Sequence, residues 1–454
     1  MQPVPIQDFV QAVGGVCSRP FDASAVQEIS TDSRTIHEGA VFFAIVGERL
    51  NGHDYVAAAL EKGALAAVVS EQRDWNAEQV IRVGDTTEAL LRFAGWYRRQ
   101  FTPCVVGVTG SVGKTTTKEM IYAVLSTDGK TLKTQGNLNN QIGLPKTLLE
   151  LNPSYRNAVV EMGMSNLGEI SVLSRAAAPT LGVITNIGVS HLETLRTRQN
   201  ILRAKLEITE GMADGSTLIL NVDNDLLCTV QAPRLRLMTY GMTNPDADVR
   251  AVEIDSGRAT TAFTVLHGGR RTAVTIPCIG DHNVLNALAA FCVGLCVGLE
   301  PDRIASALLR YEPTGMRQRM VQFHGMLVIE DCYNASPDSM RAALGTLSRL
   351  PSGRRIAVLG DMLELGELSD SAHVELGQLA ARSGVDLLLC TGPQCRITVE
   401  AARQAGLARA YHFSDKQELA DYLSRQAAEG DTILCKGSRS MQMEDVLHSF
   451  YSGN

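Results

Sequence analysis

A glycine-broken turn between an apolar run and a helical pattern is the feature that most constrains this chain. The segment CVVGVTGSVGKTTTKEM, residues 104–120, has the pattern of a buried strand, a turn and the start of a helix. Gly110 and Gly113 allow the backbone N–H groups of the turn to converge, and the helix N-terminus that follows attracts an anion. Lys114 supplies a positive charge, and the hydroxyl of Thr115 can bind Mg²⁺. The segment therefore predicts an α/β fold with a parallel sheet. It also predicts that the turn between strand and helix binds a nucleoside triphosphate.

This phosphate loop departs from the general pattern at one position. The general pattern has a glycine where this chain has Val108, ahead of the pair Gly113 and Lys114. A glycine-rich turn that binds no nucleotide is the alternative. The strand before the turn, the helix after it and the Lys-Thr pair favour the nucleotide.

The length and charge of the chain limit its organisation and its partners. With 454 residues it is longer than one typical core, so several domains are expected. Its net charge of -7 and its scattered Lys and Arg residues indicate no nucleic-acid partner. The first residues lack the pattern of a leader, and no run of about 18 apolar residues follows, so we expect a cytoplasmic protein without membrane insertion. The ten cysteines match no zinc spacing.

The order of strand and helix patterns predicts an α/β protein of three domains. Residues 1–82 would form a small N-terminal module, residues 83–312 a central phosphate-loop domain, and residues 313–454 a C-terminal Rossmann-like domain. Alternating residues from about 248 to 280 predict an antiparallel insert in the central domain. Asp281 is expected to cap the helix that follows the insert.

The N-terminal module carries a strand pattern and two polar stretches. VFFAIVG, residues 41–47, predicts a buried strand. The stretches STDSRTIHEG and ERLNGHDY are rich in turn residues and in groups that can hold a polar ligand. They are either ordinary surface loops or a binding site.

Two polar residues follow apolar strands of the central domain. Glu161 follows the run AVV, and His191 comes after TNIG. Ligands gather at the carboxyl ends of parallel strands, where a carboxylate could join Thr115 around Mg²⁺. Each residue alone is more often a structural polar group than a metal ligand.

Lys205 lies on an apolar stripe of a predicted helix. Ile201, Lys205, Ile208 and Met212 share one helical face in QNILRAKLEITEGM. Such a lysine extends its ammonium to water, pairs with an anion, or loses its proton. A neutral lysine can take up CO₂ as a carbamate, whose oxygens are ligands that Mg²⁺ prefers.

Together these segments resemble the ATP-dependent Mur ligases of peptidoglycan synthesis over essentially the whole chain. VTGSVGKTTTKEM is similar to the short phosphate loop of that family, which accounts for Val108. The blocks NLNNQIGLP, VVEMGMS, TNIGVSHLE, RAKLEI and GDHNVLNALAA also resemble family blocks. TDSRTIHEGAVFFAIVGERLNGHDYV resembles the UDP-binding module, which the related folylpolyglutamate synthases lack.

Three further stretches resemble the members of the family that add a dipeptide. They are DCYNASPDSM, LGDMLELGELS and CKGSRSMQMEDVL. The resemblance implies addition of D-Ala-D-Ala to UDP-N-acetylmuramoyl-tripeptide, with ATP and two Mg²⁺ ions, by a monomer. A Mur-type ligase that adds diaminopimelate or lysine and an NTP-hydrolysing regulatory protein are the alternatives. Whether the tripeptide ends in diaminopimelate or lysine stays open.

The resemblance also implies a role for individual residues. Nucleotide contacts are implied for Gly110, Ser111, Val112, Gly113, Lys114, Thr115, Thr116, Asn137, Asn283, Arg317 and Asp331. Metal binding is implied for Thr115, Glu161, His191 and Lys205, and catalysis for Lys114, Glu161, His191 and Lys205. Substrate contacts are implied for Ser33 and Arg34 near UDP, Asn334 and Ser336 near the dipeptide, and Lys436 and Arg439 near carboxylates. Some relatives have arginine directly after the glycine that corresponds to Gly315, whereas here Met316 intervenes before Arg317.

Overall fold

Three main β-sheets follow one another along the chain. The computed structural model describes residues 1–17, 21, 25–73, 75, 79–257, 259–313, 315–350 and 353–453. The described residues form sheets of five, nine and six strands and one two-stranded ribbon. The α/β architecture predicted from the sequence is confirmed.

The first sheet is mainly parallel and has the order β2-β7-β6-β5-β4. Its part of the chain contains β1 (Val4–Pro5), α1 (Ile6–Val13), β2 (Val16–Cys17), β3 (Ala25–Val26), β4 (Glu28–Ser30), β5 (Ala40–Phe43), a 3₁₀ turn (Gly52–Tyr55), α2 (Val56–Glu61), β6 (Ala66–Val69), β7 (Val80–Arg82) and α3 (Thr86–Arg98). β1 and β3 form the ribbon, and β2 is antiparallel to β7. The predicted strand over 41–47 is shorter in the structure, because β5 ends at Phe43 and the chain then turns to bring Gly52 against Ile45.

The central sheet has the order β16-β15-β14-β13-β12-β11-β8-β10-β9. Its strands are β8 (Cys104–Thr109), β9 (Thr131–Lys133), β10 (Asn157–Glu161), β11 (Leu181–Ile184), β12 (Thr217–Asn221), β13 (Arg236–Gly241), β14 (Val249–Ser256), β15 (Thr261–His267) and β16 (Arg270–Ile276). Its helices are α4 (Lys114–Leu125), α5 (Gly143–Leu148), α6 (Glu169–Ala177), α7 (Leu192–Leu195), α8 (Arg198–Leu206), α9 (Asp281–Cys296) and α10 (Pro301–Leu309), with 3₁₀ turns at Glu207–Gly211 and Leu227–Thr229.

The predicted antiparallel insert is confirmed and extends the central sheet. β15 pairs antiparallel with both β14 and β16, while β14 joins the end of β13 in parallel. The prediction that Asp281 caps α9 is wrong. Gly280, with φ 102°, is the N-cap, and Asp281 is the first helical residue. Its carboxylate instead accepts hydrogen bonds from Arg349 at 2.7 and 2.8 Å.

The third sheet has the order β17-β18-β22-β19-β20-β21. It is built from β17 (Arg319–Phe323), β18 (Met326–Asp331), α11 (Pro337–Arg349), β19 (Arg355–Gly360), a 3₁₀ turn (Gly366–Leu368), α12 (Ser369–Arg382), β20 (Leu387–Thr391), α13 (Cys395–Gln404), β21 (Ala410–Phe413), α14 (Lys416–Gln426), β22 (Thr432–Lys436), a 3₁₀ turn (Arg439–Met441) and α15 (Glu444–Ser452). All pairs are parallel except β17 with β18.

Helix α3 joins the first sheet to the central one. Its Phe93 lies in one buried cluster with Phe9 of α1 and Leu144 of α5. Tyr97 donates a hydrogen bond to the carbonyl of Leu151 at 2.8 Å. The predicted boundary between residues 82 and 83 stays a prediction, because the core is continuous across it. In the part of the chain described here, no helix has both the length and the apolar composition to cross a membrane.

Candidate active site

The phosphate loop lies between α4 and β8, which pairs with β10 and β11 in the parallel part of the central sheet. Gly113, with φ 85°, is the N-cap of α4, and an added Cβ would lie 2.6 Å from Oδ1 of Asn286. Only glycine accepts this backbone conformation and this close approach. The N-terminus of α4 therefore opens at the carboxyl end of the sheet, as the sequence predicts.

Lys114 bends back over its own loop. Its Nζ donates to the carbonyl of Gly110 at 2.7 Å and to that of Ser111 at 3.3 Å. Burial lowers the pKa of Lys114, while the nearby carboxylate of Glu161 raises it. The ammonium is thus fixed beside the turn where a phosphate would lie.

Glu161 and Thr115 meet at the carboxyl ends of β10 and β8. Thr115 Oγ1 donates to Glu161 Oε2 at 2.9 Å, and Asn139 Nδ2 donates to Oε1 at 2.8 Å. The backbone N–H of Glu161 donates to Thr134 Oγ1 at 3.0 Å, and the residue is 2% exposed. Hydroxyl and carboxylate oxygens held this way fit Mg²⁺, which prefers hard oxygen ligands.

A buried lysine that the sequence reasoning missed stands behind Glu161. Lys118 Nζ donates to the carbonyl of Thr134 at 2.7 Å and lies 3.2 Å from Glu119 Oε1. It is 3.9 Å from Glu161 Oε2. A buried carboxylate needs a nearby positive charge. The ammonium of Lys118 therefore compensates the charges of Glu119 and Glu161.

Lys205 is fully buried and does not reach water. Its exposure is 0%, and its Nζ has no hydrogen-bond partner among the described residues. Burial, reinforced by the charge of Lys114, holds the pKa of Lys205 well below its ordinary value. The reading in which its ammonium extends to solvent is therefore wrong. A neutral, unpartnered amine is the state that reacts with CO₂, so the structure fits a carbamate here.

His191 contacts a carboxylate from the segment that follows β19. It is the N-cap of α7, with φ 63°, and its Nδ1 lies 3.0 Å from Glu364 Oε2. Hydrogen bonding to His191 lowers the pKa of Glu364. Glu364 lies in LGDMLELGELS, but nothing in the sequence indicates that it faces His191.

The start of α9 also meets the third sheet. Asn283 Nδ2 donates to the carbonyl of Ile279 at 2.8 Å and to Gln318 Oε1 at 2.9 Å. The guanidinium of Arg317 lies 3.9 Å from the ring centre of Tyr333. These polar groups and this stacked pair line one wall of the cleft.

The carboxyl ends of β18 and β22 also contribute residues to the lining of the cleft. Lys436 Nζ pairs with Asp331 Oδ2 at 2.6 Å and donates to the carbonyl of Asn334 at 2.9 Å. The backbone N–H of Arg439 donates to Asn334 Oδ1 at 3.3 Å. Ser336 is the N-cap of α11 and accepts from the backbone of Ser339, so its hydroxyl is partly used by the helix.

One cavity of about 550 Å³ between the central and third sheets unites most of the predicted site. It is lined by Ser111, Val112, Gly113, Lys114, Thr115, Thr116, Asn137, Glu161, His191, Asn283, Arg317, Asp331, Asn334, Ser336, Lys436 and Arg439. Gly110 and Lys205 lie outside its lining. So do Ser33 and Arg34, and the Arg34 side chain is 85% exposed and pairs with Asp32 at 2.7 Å.

A second buried polar cluster lies apart from this cavity. Asp361 after β19, His373 of α12 and Cys395 at the start of α13 come together beside the third sheet. His373 uses both ring nitrogens, Nδ1 with the carbonyl of Ser369 at 2.7 Å and Nε2 with the N–H of Met362 at 3.2 Å. Asp361 accepts from the N–H of Cys395 at 2.8 Å. The cluster is occupied by its own hydrogen bonds and has a structural role.

Sequence comparison decides the family. The family models described as "Mur ligase family, catalytic domain", "Mur ligase middle domain" and "Mur ligase, glutamate ligase domain" match residues 25–95, 108–294 and 316–439. A UDP-N-acetylmuramoyl-tripeptide--D-alanyl-D-alanine ligase of Bacillus subtilis is 38% identical over 97% of this chain and 97% of its own. The chain belongs to the Mur ligase family.

Solved structures of Mur ligases share the whole architecture. MurF from Acinetobacter baumannii superposes with a TM-score of 0.92 at 32% identity, over 100% of this chain and 99% of that one. MurF from Thermotoga maritima, determined in complex with ADP, has a TM-score of 0.85 at 28% identity over 94% of this chain and 97% of that one. The similarity therefore extends through all three sheets of this Mur ligase.

The sequence reasoning missed residues that complete the site of this Mur ligase. They are Lys118, Asn139, Asn286, Gln318 and Glu364. Asn139 and Asn286 lie in NLNNQIGLP and GDHNVLNALAA, two blocks that resemble the family. Their polar side chains within these blocks could have been predicted as site residues. Gln318 and Glu364 act across the cleft, which no local pattern shows.

Proposed function

We propose that this Mur ligase adds D-Ala-D-Ala to UDP-N-acetylmuramoyl-tripeptide, converting ATP to ADP and phosphate and giving UDP-MurNAc-pentapeptide. The full-length similarity to the ligase of Bacillus subtilis that carries this activity in its name is the observation on which the proposal rests. The cavity between the central and third sheets, with a phosphate loop on one wall, supports it. It would act in the cytoplasm, as a monomer, in peptidoglycan precursor synthesis.

The reaction needs activation because a free carboxylate is a poor acyl donor. An oxygen of the tripeptide's terminal carboxylate attacks the γ-phosphorus of ATP, and the bond from that phosphorus to ADP breaks. The free amine of D-Ala-D-Ala then attacks the acyl carbon and loses a proton, and the carbon–oxygen bond to phosphate breaks. The amide product and phosphate account for every atom of the acyl phosphate.

The phosphate loop and Lys114 would hold the transferring phosphoryl group. The start of α4 lines the cavity, and the free N–H groups of a helix N-terminus bind anions. Lys114 Nζ is already held over the turn by its hydrogen bonds to the carbonyls of Gly110 and Ser111. Fixed donors of this kind stabilise the charge that develops during phosphoryl transfer. Thr115, Glu161, His191 and a carbamate on Lys205 would hold two Mg²⁺ ions. These ions would offset the negative charges of the ATP phosphates and of the tripeptide and dipeptide carboxylates.

Residues of the other walls would hold the rest of the substrates. Asn283 would contact adenine, and Arg317 and Asp331 would contact the nucleotide from the third domain. The dipeptide would lie near Asn334 and Ser336, with its carboxylate near Lys436 and Arg439. Ser33 and Arg34 would hold the UDP group in the N-terminal module. A cleft closed between two domains also protects an acyl phosphate from water.

An acceptor comparison tests the proposed function. Purified protein is given ATP, Mg²⁺ and either UDP-MurNAc-tripeptide or UDP-MurNAc-dipeptide as donor. Each donor is combined with D-Ala-D-Ala, diaminopimelate, lysine or no acceptor, and phosphate release is measured. We expect release that depends on D-Ala-D-Ala. Equal stimulation by a single amino acid with UDP-MurNAc-dipeptide as donor would favour the other ligase, and release without any acceptor would favour a regulatory NTPase.

A further inference from the structure

We propose that Glu364 of the third domain is a positioning residue for His191, so that the metal site of the central domain is completed only when the two domains meet. The proposal rests on the proposed function, in which His191 holds metal. It adds that contact between the third and central domains orients His191 through Glu364. The contact between His191 Nδ1 and Glu364 Oε2 at 3.0 Å carries it.

The contact leaves one nitrogen of His191 available. An imidazole whose Nδ1–H is donated to a carboxylate presents the lone pair of Nε2 to a metal. Metal-ligating histidines commonly donate their other N–H in this way, and loss of that partner weakens metal binding by about 10- to 100-fold. Glu364 provides this partner from the segment that connects β19 to α12 in the third domain.

The segment around Glu364 is built to aim its side chain outward. Met362 and Leu365 on either side are buried at 1% and 3% exposure. The N–H of Leu363 donates to Ser438 Oγ at 2.9 Å. Glu364 itself has φ 63°, a left-handed conformation that residues with a side chain seldom adopt. Such a conformation persists where the surroundings fix it, and it occurs often at functional sites.

The same segment packs directly on the helix that His191 begins. Gly366 has φ 54°, and a Cβ added there would lie 3.3 Å from Cα of Glu193 in α7. His191 is the N-cap of α7, with φ 63°. The backbone of His191 is fixed by α7, and that of Glu364 is fixed by its buried neighbours. The position of the third domain therefore sets the orientation of the His191 imidazole. By linkage, metal at His191 in turn favours the closed arrangement.

An incidental surface ion pair is the competing explanation. The Glu364 side chain is 63% exposed, and exposed ion pairs contribute little to stability. Because Glu364 is exposed, its substitution should not unfold the protein. A loss of metal binding in the variant can then be assigned to the missing carboxylate. Glu367, three residues along the same segment and also exposed, is the matched control for loss of one carboxylate.

Mn²⁺ binding to the full-length protein in the presence of ADP, measured by electron paramagnetic resonance against an ADP-only blank, tests the proposal. We expect Glu364→Ala to weaken Mn²⁺ binding about tenfold. Glu364→Gln, which can still accept from Nδ1–H, should recover part of the affinity, and Glu367→Ala should bind as the wild type does. Wild-type affinity in Glu364→Ala would overturn the proposal.

The double variant His191→Ala, Glu364→Ala shows whether Glu364 acts through His191. If it does, Glu364→Ala has no further effect once His191 is gone. An equal loss in both backgrounds would overturn the proposal. D-Ala-D-Ala-dependent phosphate release by the wild type is measured separately, so failure of the proposed function and failure of this inference give different results.

Discussion

Lys205 shows how a single buried residue can link stability to chemistry. Its side chain is excluded from water, its Nζ is unpartnered among the described residues, and its pKa is lowered far below that of a free lysine. The unfolded chain therefore binds a proton that the folded chain does not, at every pH between the lowered pKa and about 10.4. Over that range the residue destabilises the fold, and the cost disappears as pH rises.

Lys205→Met should therefore unfold at a higher temperature than the wild type at pH 7 in CO₂-free buffer. The difference should shrink as pH approaches about 10, because the unfolded lysine then loses its proton too. Thermal unfolding of both proteins from pH 7 to 10 measures this difference, in which other titrating groups cancel. A difference that does not change with pH would contradict a lowered pKa for Lys205.

Lys118 should be far less replaceable than its neighbour Lys133. Lys118→Met leaves the buried carboxylates of Glu119 and Glu161 without their shared cation, which should cost about 3–5 kcal/mol. Lys133 also pairs with Glu119, but its side chain is 19% exposed and it does not contact Glu161. Lys133→Met should cost clearly less. Urea unfolding of the two variants compares them, and equal losses would show that Lys118 has no special role.

The phosphate loop is the element whose backbone conformation determines its function. Gly113→Ala would combine φ 85° with a contact of 2.6 Å to Asn286 Oδ1. We expect it to weaken ATP binding at least about tenfold and to cost about 1–2 kcal/mol of stability. Calorimetric titration with ATP measures the binding. Unchanged ATP affinity would show that the backbone conformation of Gly113 is not needed for nucleotide binding.

Gly345 in the middle of α11 is the matched control. A Cβ there meets nothing within 4 Å, and alanine is favoured over glycine inside a helix by about 0.5–1 kcal/mol. Gly345→Ala should therefore raise the melting temperature slightly and leave ATP affinity unchanged. A loss of stability would show that the position is tighter than its surroundings indicate.

Elements fixed by local pattern were predictable, whereas those fixed by distant contacts were not. The strand pattern predicted at the start of residues 104–120 is present as β8, because an apolar run there ends at a glycine turn. Lys205 was found because apolar residues surround it on one helical stripe. Asp281 was assigned to the wrong role because its partner, Arg349, lies in another domain. Glu364 and Gln318 were missed for the same reason, since only the folded chain brings them to the central sheet.

At the scale of the whole molecule, contacts across the cleft hold the site together. Asp281 pairs with Arg349, Asn283 with Gln318, and His191 with Glu364. Residues 361–368, which connect β19 to α12, carry one of these contacts. Such connecting segments open at low free energy when unliganded. ADP with Mg²⁺ should slow amide hydrogen exchange in this segment. Exchange in α14, which is remote from the cavity lining, should not change, and protection spread evenly over both would contradict closure at the cleft.

The central claim is that phosphate leaves from an acyl phosphate made on the tripeptide. The most direct measurement uses UDP-MurNAc-tripeptide labelled with ¹⁸O in its terminal carboxylate, with mass spectrometry of both products after reaction with ATP and D-Ala-D-Ala. The account predicts one ¹⁸O in the released phosphate for each UDP-MurNAc-pentapeptide formed. Unlabelled phosphate, or phosphate formed without pentapeptide, would contradict it.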